Sequence, residues 1–464
     1  MSASQLVRWR RWAQRPAGVV LPLLVLLPLM LSFDTYEAIF DGINGATVQK
    51  ALFVLATALV GTVLGFRVPP WPVWGMGIVI AAGYIVALVV NARVHSGFDF
   101  GMLFGAIGLI YPWLVFFVNW RPVRASARAS AIALIAPLTV AASALLQFPW
   151  PDEFMLLKHE YTGALRVAAG LPPAYLAGMA LVGVCGALWL WNQRRWYGLY
   201  LAALNVGILA LTGTRGATAC AAAVFLVMLV VAVIHRFPHW IAALCGAAIG
   251  IFLGTVLILP TFLERSSGAA TGDGMFSGSG RGAAWKYFIA QIGDRPLTGF
   301  GPGSGSWLAA RSSNNTVREY FVSPHNEFLR FAADIGIPLT AAFFAALIAL
   351  IVLTMRKRKP GERVFVIATF AALLAYATFD NLLNAPQSAV TFALLTACLW
   401  SDAPRDAKVN ASRADDESHV ASKEDADVEQ DLSTAGGSPS SPSTAVTSSS
   451  TRRDYRKSRG LPGK

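Results

Sequence analysis

Runs of about 20 apolar residues recur through the first 400 positions, separated by short polar gaps. About twelve such runs are centred near residues 25, 57, 82, 108, 136, 182, 204, 226, 249, 346, 371 and 393. A helix needs about 20 mostly apolar residues to cross the hydrocarbon core of a bilayer. The pattern therefore predicts an all-α, polytopic integral membrane protein with about 12 transmembrane helices across residues 1–400. Two segments interrupt it. Residues 261–335 form a long polar stretch between the ninth and tenth runs, expected as one large loop on the outer side that contains short helices. Residues 401–464, rich in Ser, Thr, Asp and Glu, have too few apolar side chains to build a core and are expected as a disordered cytoplasmic tail. The first run, "GVVLPLLVLLPLMLSF", is followed by further runs and by no small-residue cleavage pattern, so it reads as a span rather than a signal peptide.

Composition agrees with the pattern. The chain is 55% hydrophobic and only 14% charged, with a mean hydropathy of +0.52, too apolar for a water-soluble core to hide. Its net charge of +12 falls largely in alternate short gaps. "VRWRRWAQR" precedes the first run, and Arg67, "RPVRASAR" (121–128), "QRR" (193–195), "HRF" (235–237) and "RKRKPGER" (356–363) fill the even-numbered gaps. Cations near span ends stay in the cytoplasm, so both termini are expected there and the large loop outside. Charge placed for topology gives no reason to expect nucleic acid as a partner. Cys185, Cys220, Cys245 and Cys398 lie in or beside apolar runs and read as packing residues.

Candidate chemistry gathers at the outer ends. In "SPHNEFLRFAADIGIPL" (323–339), Ser323 suits a helix N-cap and Pro324 the first helical position, which puts His325 in the first turn; Gly336 and Pro338 then end that helix and begin the tenth span. A helix start attracts anions and disfavours an imidazolium, so a neutral His325 beside an anion could accept a proton. It could equally be an interfacial capping residue. In "LTGTRGATAC", Arg215 occupies a tight turn on the side where cations are disfavoured, which argues for an anionic partner. Arg281 follows a Gly/Ser-rich run and starts "RGAAWKYFIAQI", with Trp285 one turn on, and Arg265 directly follows the ninth run.

Other motifs read as structural. "GFGPGSG" (299–305) lacks the strand and Lys-Ser/Thr of a phosphate loop and is expected as a flexible turn. "HRFPH" (235–239) reads as an interfacial loop, because Pro238 interrupts any helical ligand spacing. Asp380 and Asn381 could orient a substrate or cap a helix, and capping is the expectation. "QFPWPDEFMLLKHEYTGALR" (147–166) is expected to lie at the lipid interface. The one DxD triplet, at 425–427, sits in the acidic tail as a product of composition, so no metal site and no cofactor is expected.

"TGTRG" after a middle span, "GRGAAWKYF…DRPLTGFGPG" in a large outer loop, and "PHNEFLRFAADIGIPL" leading into the last spans together resemble the O-antigen ligase and polymerase superfamily. The resemblance covers roughly residues 190–400. It departs at Thr214, where many relatives place a serine before the arginine. It implies a glycosyltransferase of the bacterial inner membrane that moves a glycan from undecaprenyl diphosphate at the periplasmic face. By resemblance Arg215 and Arg281, with Arg265 as an addition, would bind the donor diphosphate and His325 would act on the acceptor hydroxyl. Such transfer would be metal-independent and inverting. Ligation of O-antigen to lipid A-core oligosaccharide is the favoured activity, because the chain runs straight from His325 into three spans and a polar tail. O-antigen polymerase and protein O-oligosaccharyltransferase are the alternatives. A transporter or flippase fits less well, since the ionisable residues sit at span ends rather than mid-membrane.

Overall fold

The computed structural model describes residues 16–40, 43–91, 100–151, 154–159, 165–235 and 281–402. The run near 249, Cys245, Arg265, the stretch from Arg236 to Gly280 and the tail with its DxD triplet lie outside the described residues. The described helices are α1 (Val20–Leu26), α2 (Phe33–Ile39), α3 (Gly45–Leu64), α4 (Trp71–Asn91), α5 (Phe100–Ile110), α6 (Ala125–Leu146), α7 (Pro173–Asn192), α8 (Tyr197–Thr212) and α9 (Arg215–His235). After the undescribed stretch come α10 (Arg281–Asp294), α11 (Gly305–Ala310), α12 (Asn315–Tyr320), α13 (Glu327–Ile335), α14 (Ile337–Arg356), α15 (Pro360–Ala377) and α16 (Pro386–Ser401).

Every predicted run within the described residues is centred on one of these helices. Five, α3, α4, α6, α7 and α14, are long and apolar enough to cross a membrane. The expected count of twelve is not reached among the described residues: α8 and α16 have only 16 residues each, and two other runs are interrupted. The first run breaks into 3-10 turns at Pro16–Val19 and Leu27–Met30 around α1, and the fourth ends in a 3-10 turn at Tyr111–Phe117. Pro28 and Pro112 start these turns, and proline supplies no backbone N–H to continue an α-helix. The chain is also not purely helical. Leu157–His159 (β1) pairs antiparallel with Leu165–Val167 (β2), Lys158 opposite Arg166. Beside this hairpin Phe148, Trp150 and Met155 are exposed while Phe154 is buried. The described part of the 261–335 stretch does contain short helices, α10 to α13.

A helix that is apolar all round belongs in the middle of a bundle. Helices α7 and α16 are such helices, with Leu176–Leu190 and Ser388–Leu399 buried without a break. Close contact around them depends on small residues. A Cβ added to Gly178 would stand 2.7 Å from Ser388 Cβ of α16, and one added to Gly183 would stand 2.3 Å from Asn205 Oδ1 of α8. Asn205 itself donates to the Ala133 carbonyl of α6 at 2.8 Å, a polar tie across three helices.

Helix α16 also separates the two ends of the molecule. At 1.5 Å per residue its 16 residues span about 24 Å. Two arginines from the predicted basic gaps hold its C-terminal end. Arg128 donates to the Cys398 carbonyl and to Asp402, and Arg358 donates to the Leu399 carbonyl. Cations there suit the negative end of the helix dipole. The candidate chemistry lies at the opposite end.

Candidate functional site

The site forms where α15 gives way to α16, in the connection Thr378–Ala385. Three separate stretches of chain reach it. Helix α9 starts there after Gly213, whose φ of 62° closes α8 and reverses the chain. Arg215 is exposed at the first position of α9, and beside it Gly216 faces the connection, where an added Cβ would meet Phe379 Cβ in ordinary contact at 3.7 Å. Helix α10 brings Arg281, again as its first residue. The Arg281 guanidinium donates to the Phe379 carbonyl at 2.5 Å and lies 3.5 Å from Asp380 Oδ2. The segment before α13 brings His325, whose Nδ1 lies 3.2 Å from Asp380 Oδ1 and 3.2 Å from Asn381 Nδ2.

His325 is not in a first helical turn as expected. Asn326 is the N-cap, its side chain accepting from Leu329 N at 3.1 Å, and α13 begins only at Glu327. The Ser323 hydroxyl, the expected cap, instead donates to Asn381 Oδ1 at 3.0 Å. His325 thus precedes the helix with φ of 50°, in the left-handed region that costs a non-glycine residue about 1 kcal/mol or more. Neighbours hold it there. Trp285 Nε1 donates to the Pro324 carbonyl at 2.8 Å, and the Phe321 ring meets the imidazole edge-on at 5.5 Å. Strain kept at a side chain that faces a buried carboxylate is a frequent mark of a working site.

Asp380 and Asn381 do not cap a helix. The N-cap of α16 is Ala385, and no side chain serves it. Asp380 is 2% exposed and Asn381 is 5% exposed, deep enough for their partners to define them. Burial pushes the Asp380 carboxyl up, but the hydrogen bond and charge of His325, the charge of Arg281 and the Asn381 N–H together outweigh it, so the carboxyl lies below its ordinary value. Asp380 is therefore an anion, and facing it the imidazole Nδ1 serves as donor, which makes the approach of Asn381 Nδ2 a close contact and not a hydrogen bond. In the neutral ring the lone pair is then on Nε2, the nitrogen turned away from Asp380.

The other sequence candidates fall as follows. Arg265 lies outside the described residues. Of the other described cations in this stretch, Arg311 stacks on Trp307 at 3.7 Å and Lys286 is exposed on α10. The "GFGPGSG" stretch is a pinned turn rather than a flexible one. Gly299, Gly301 and Gly303 have φ of 62°, 110° and 81°, and Phe300 N and Gly301 N donate at 2.7 Å to the carbonyls of Ala333 and Asp334. Its Ser304 N and Oγ both donate to Asp334 Oδ1, so these donors serve the end of α13 and not a phosphate. Among the described residues no three His, Cys, Asp or Glu side chains gather closely enough to hold a metal ion. The described cysteines, Cys185, Cys220 and Cys398, are buried and unpaired with one another, as packing residues would be.

Residues 200–344 match the protein family described as O-antigen ligase. No curated protein matches the chain at a significant level. The matched region contains Arg215, Arg281 and His325, whereas Asp380 and Asn381 come from beyond it and complete the site through the fold.

Proposed function

We propose that the protein is an O-antigen ligase that transfers O-antigen polysaccharide from undecaprenyl diphosphate to lipid A-core oligosaccharide at the periplasmic face of the bacterial inner membrane. The observation that carries this reading is the contact of His325 Nδ1 with the buried Asp380, 3.2 Å apart, beside the guanidinium of Arg281. Asp380 takes the Nδ1 proton in a hydrogen bond, and His325 Nε2 removes the proton from the attacking sugar hydroxyl. The hydroxyl oxygen then bonds to the anomeric carbon as the bond from that carbon to the phosphate oxygen breaks, inverting the configuration. The electron pair leaves with undecaprenyl diphosphate.

A diphosphate leaves well when its charge is met, and Arg281 and Arg215 stand at the helix starts where that charge would develop. Arg281 uses part of its guanidinium on Phe379 and Asp380, and its side chain is 32% exposed, which leaves further donors for a phosphate. Arg265 is a further candidate donor ligand, and 1–400 would form the membrane domain with 401–464 as a cytoplasmic tail. Arginine forks supply the charge, so the transfer proceeds in EDTA. The test is a transfer assay with purified protein, undecaprenyl diphosphate-linked glycan and lipid A-core in EDTA. Glycan on the lipid A-core supports the reading. Lengthened glycan left on the carrier would instead mean a polymerase, and a product that requires added divalent metal would overturn the arginine account.

A further inference from the structure

We infer that Glu327 is a positioning residue for this transfer, holding the Asp380 segment under His325. The inference rests on the assignment of His325 and Asp380 just given. Glu327 is fully buried at the first position of α13, two residues after His325. It is not needed as a cap, because Asn326 already fills that role. Its two carboxylate oxygens serve different parts of the chain. Oε1 accepts from Leu383 N at 2.6 Å and Asn384 N at 2.9 Å, in the same connection that carries Asp380 and Asn381. Oε2 accepts from Arg330 Nε at 2.6 Å and lies 2.5 Å from Arg330 Nη2.

One carboxylate thus ties the strand of chain bearing His325 to the connection bearing Asp380, a few residues beyond each partner. The hold continues inward. Arg330, 4% exposed, lies 3.5 Å from Asp334 Oδ2, and Asp334 Oδ1 takes the two donors of Ser304. Glu327 is therefore backed by a buried cation that is itself fixed by the 299–305 turn.

Only a carboxylate fits both halves of this arrangement, since both of its oxygens are acceptors. A glutamine of the same shape must turn its amide N–H groups either toward the Arg330 guanidinium or toward the Leu383 and Asn384 N–H groups. Either way donor faces donor, and the Asp380 connection loses part of its anchor. Arg281 starts another helix, and loosening its ties to Phe379 and Asp380 leaves its guanidinium freer to meet a phosphate, so donor binding does not weaken.

The experiment measures kcat and donor KM for full-length wild type, Glu327→Gln, Glu327→Asp, Asp380→Asn and the Glu327→Gln/Asp380→Asn double variant, with undecaprenyl diphosphate-linked glycan as donor. A reacting group displaced by about 1 Å can cost about 100-fold, so Glu327→Gln lowers kcat by about that factor with donor KM unchanged. Glu327→Asp keeps the charge with a shorter reach and recovers part of the rate. The double variant is scarcely slower than Asp380→Asn alone, because both changes break one unit. Wild-type kcat in Glu327→Gln, a rise in KM alone, or fully multiplicative losses would overturn the inference while an impaired Asp380→Asn left the broader reading standing. An inactive wild type, or a fully active Asp380→Asn, would instead sink the broader reading. If Glu327→Gln does not fold, Glu327→Asp decides: a reduced kcat with unchanged KM supports the role, and a wild-type kcat refutes it.

Discussion

Replacing Asp380 by asparagine keeps the shape of the side chain and removes the charge that faces His325. Asp380 is 2% exposed, so water offers little compensation. A hydrogen bond to an ionised group contributes about 1.5 to 3 kcal/mol. At 1.36 kcal/mol per factor of ten, losing it as His325 gains a proton in the transition state slows transfer by about 10- to 150-fold. An asparagine that turns its amide N–H toward Nδ1 would also favour the tautomer with the proton on Nε2. That would block the base and deepen the loss toward the 10²- to 10⁴-fold range of general-base catalysis. Donor binding should not weaken, because Arg281 loses a competing anion 3.5 Å away. Initial rates at saturating acceptor, measured against donor concentration, separate the two parameters. A lowered kcat with unchanged or lower donor KM is the expected result. A variant with wild-type kcat would refute the assignment of Asp380 as partner to the base.

Arg281→Lys keeps the charge and loses the fork that reaches Phe379 and Asp380 while still offering donors to a phosphate. Losing one charge-assisted hydrogen bond should raise donor KM by about tenfold, and a fall in kcat alone would argue against diphosphate binding. The Asp380 carboxyl lies below its unfolded value, so the stability it lends is present above that value and lost as pH falls through the folded one. Thermal unfolding of wild type relative to Asp380→Asn should therefore worsen below about pH 4, and parallel profiles would contradict the ion pairs. Asp334 has the opposite sign. Burial raises its carboxyl to about 6 against the pull of Arg330 and its hydrogen bonds from Gly303 and Ser304. Its stabilising share is full below the unfolded value and lost as pH rises through the folded one. Wild type should accordingly lose stability relative to Asp334→Asn between about pH 4 and pH 6, and a pH-independent difference would show that Asp334 titrates normally.

The helices were legible because about 20 apolar residues in a row have few other destinations, and each described run from α3 to α16 formed one. Their lengths were less so, since Pro28 and Pro112 convert the ends of two runs into 3-10 turns that a hydropathy window averages away. Arg281 could be placed at a helix start from the Gly/Ser run before it, whereas Arg215 was expected in a tight turn and instead opens α9. His325 was placed one element too far along. Ser323 and Asn326 are both good caps, and the choice fell to Asn326 because the Ser323 hydroxyl is bound to Asn381, 58 residues away. The same distance hid Asp380, whose partners His325 and Arg281 lie 55 and 99 residues earlier. An acid at the end of an apolar run was the one available signal, and it fits a cap as well as an ion pair. Glu327 offered only an ordinary Glu–Arg pair three residues apart, and its ties to the Asp380 connection are to backbone N–H groups that any sequence supplies.

The most direct test compares wild type and His325→Ala in transfer of glycan from undecaprenyl diphosphate to lipid A-core, with EDTA present and donor binding measured in parallel. The account predicts product with wild type, a rate at least about 100-fold lower for His325→Ala, and donor binding undiminished in the variant. Transfer by His325→Ala at the wild-type rate would contradict it.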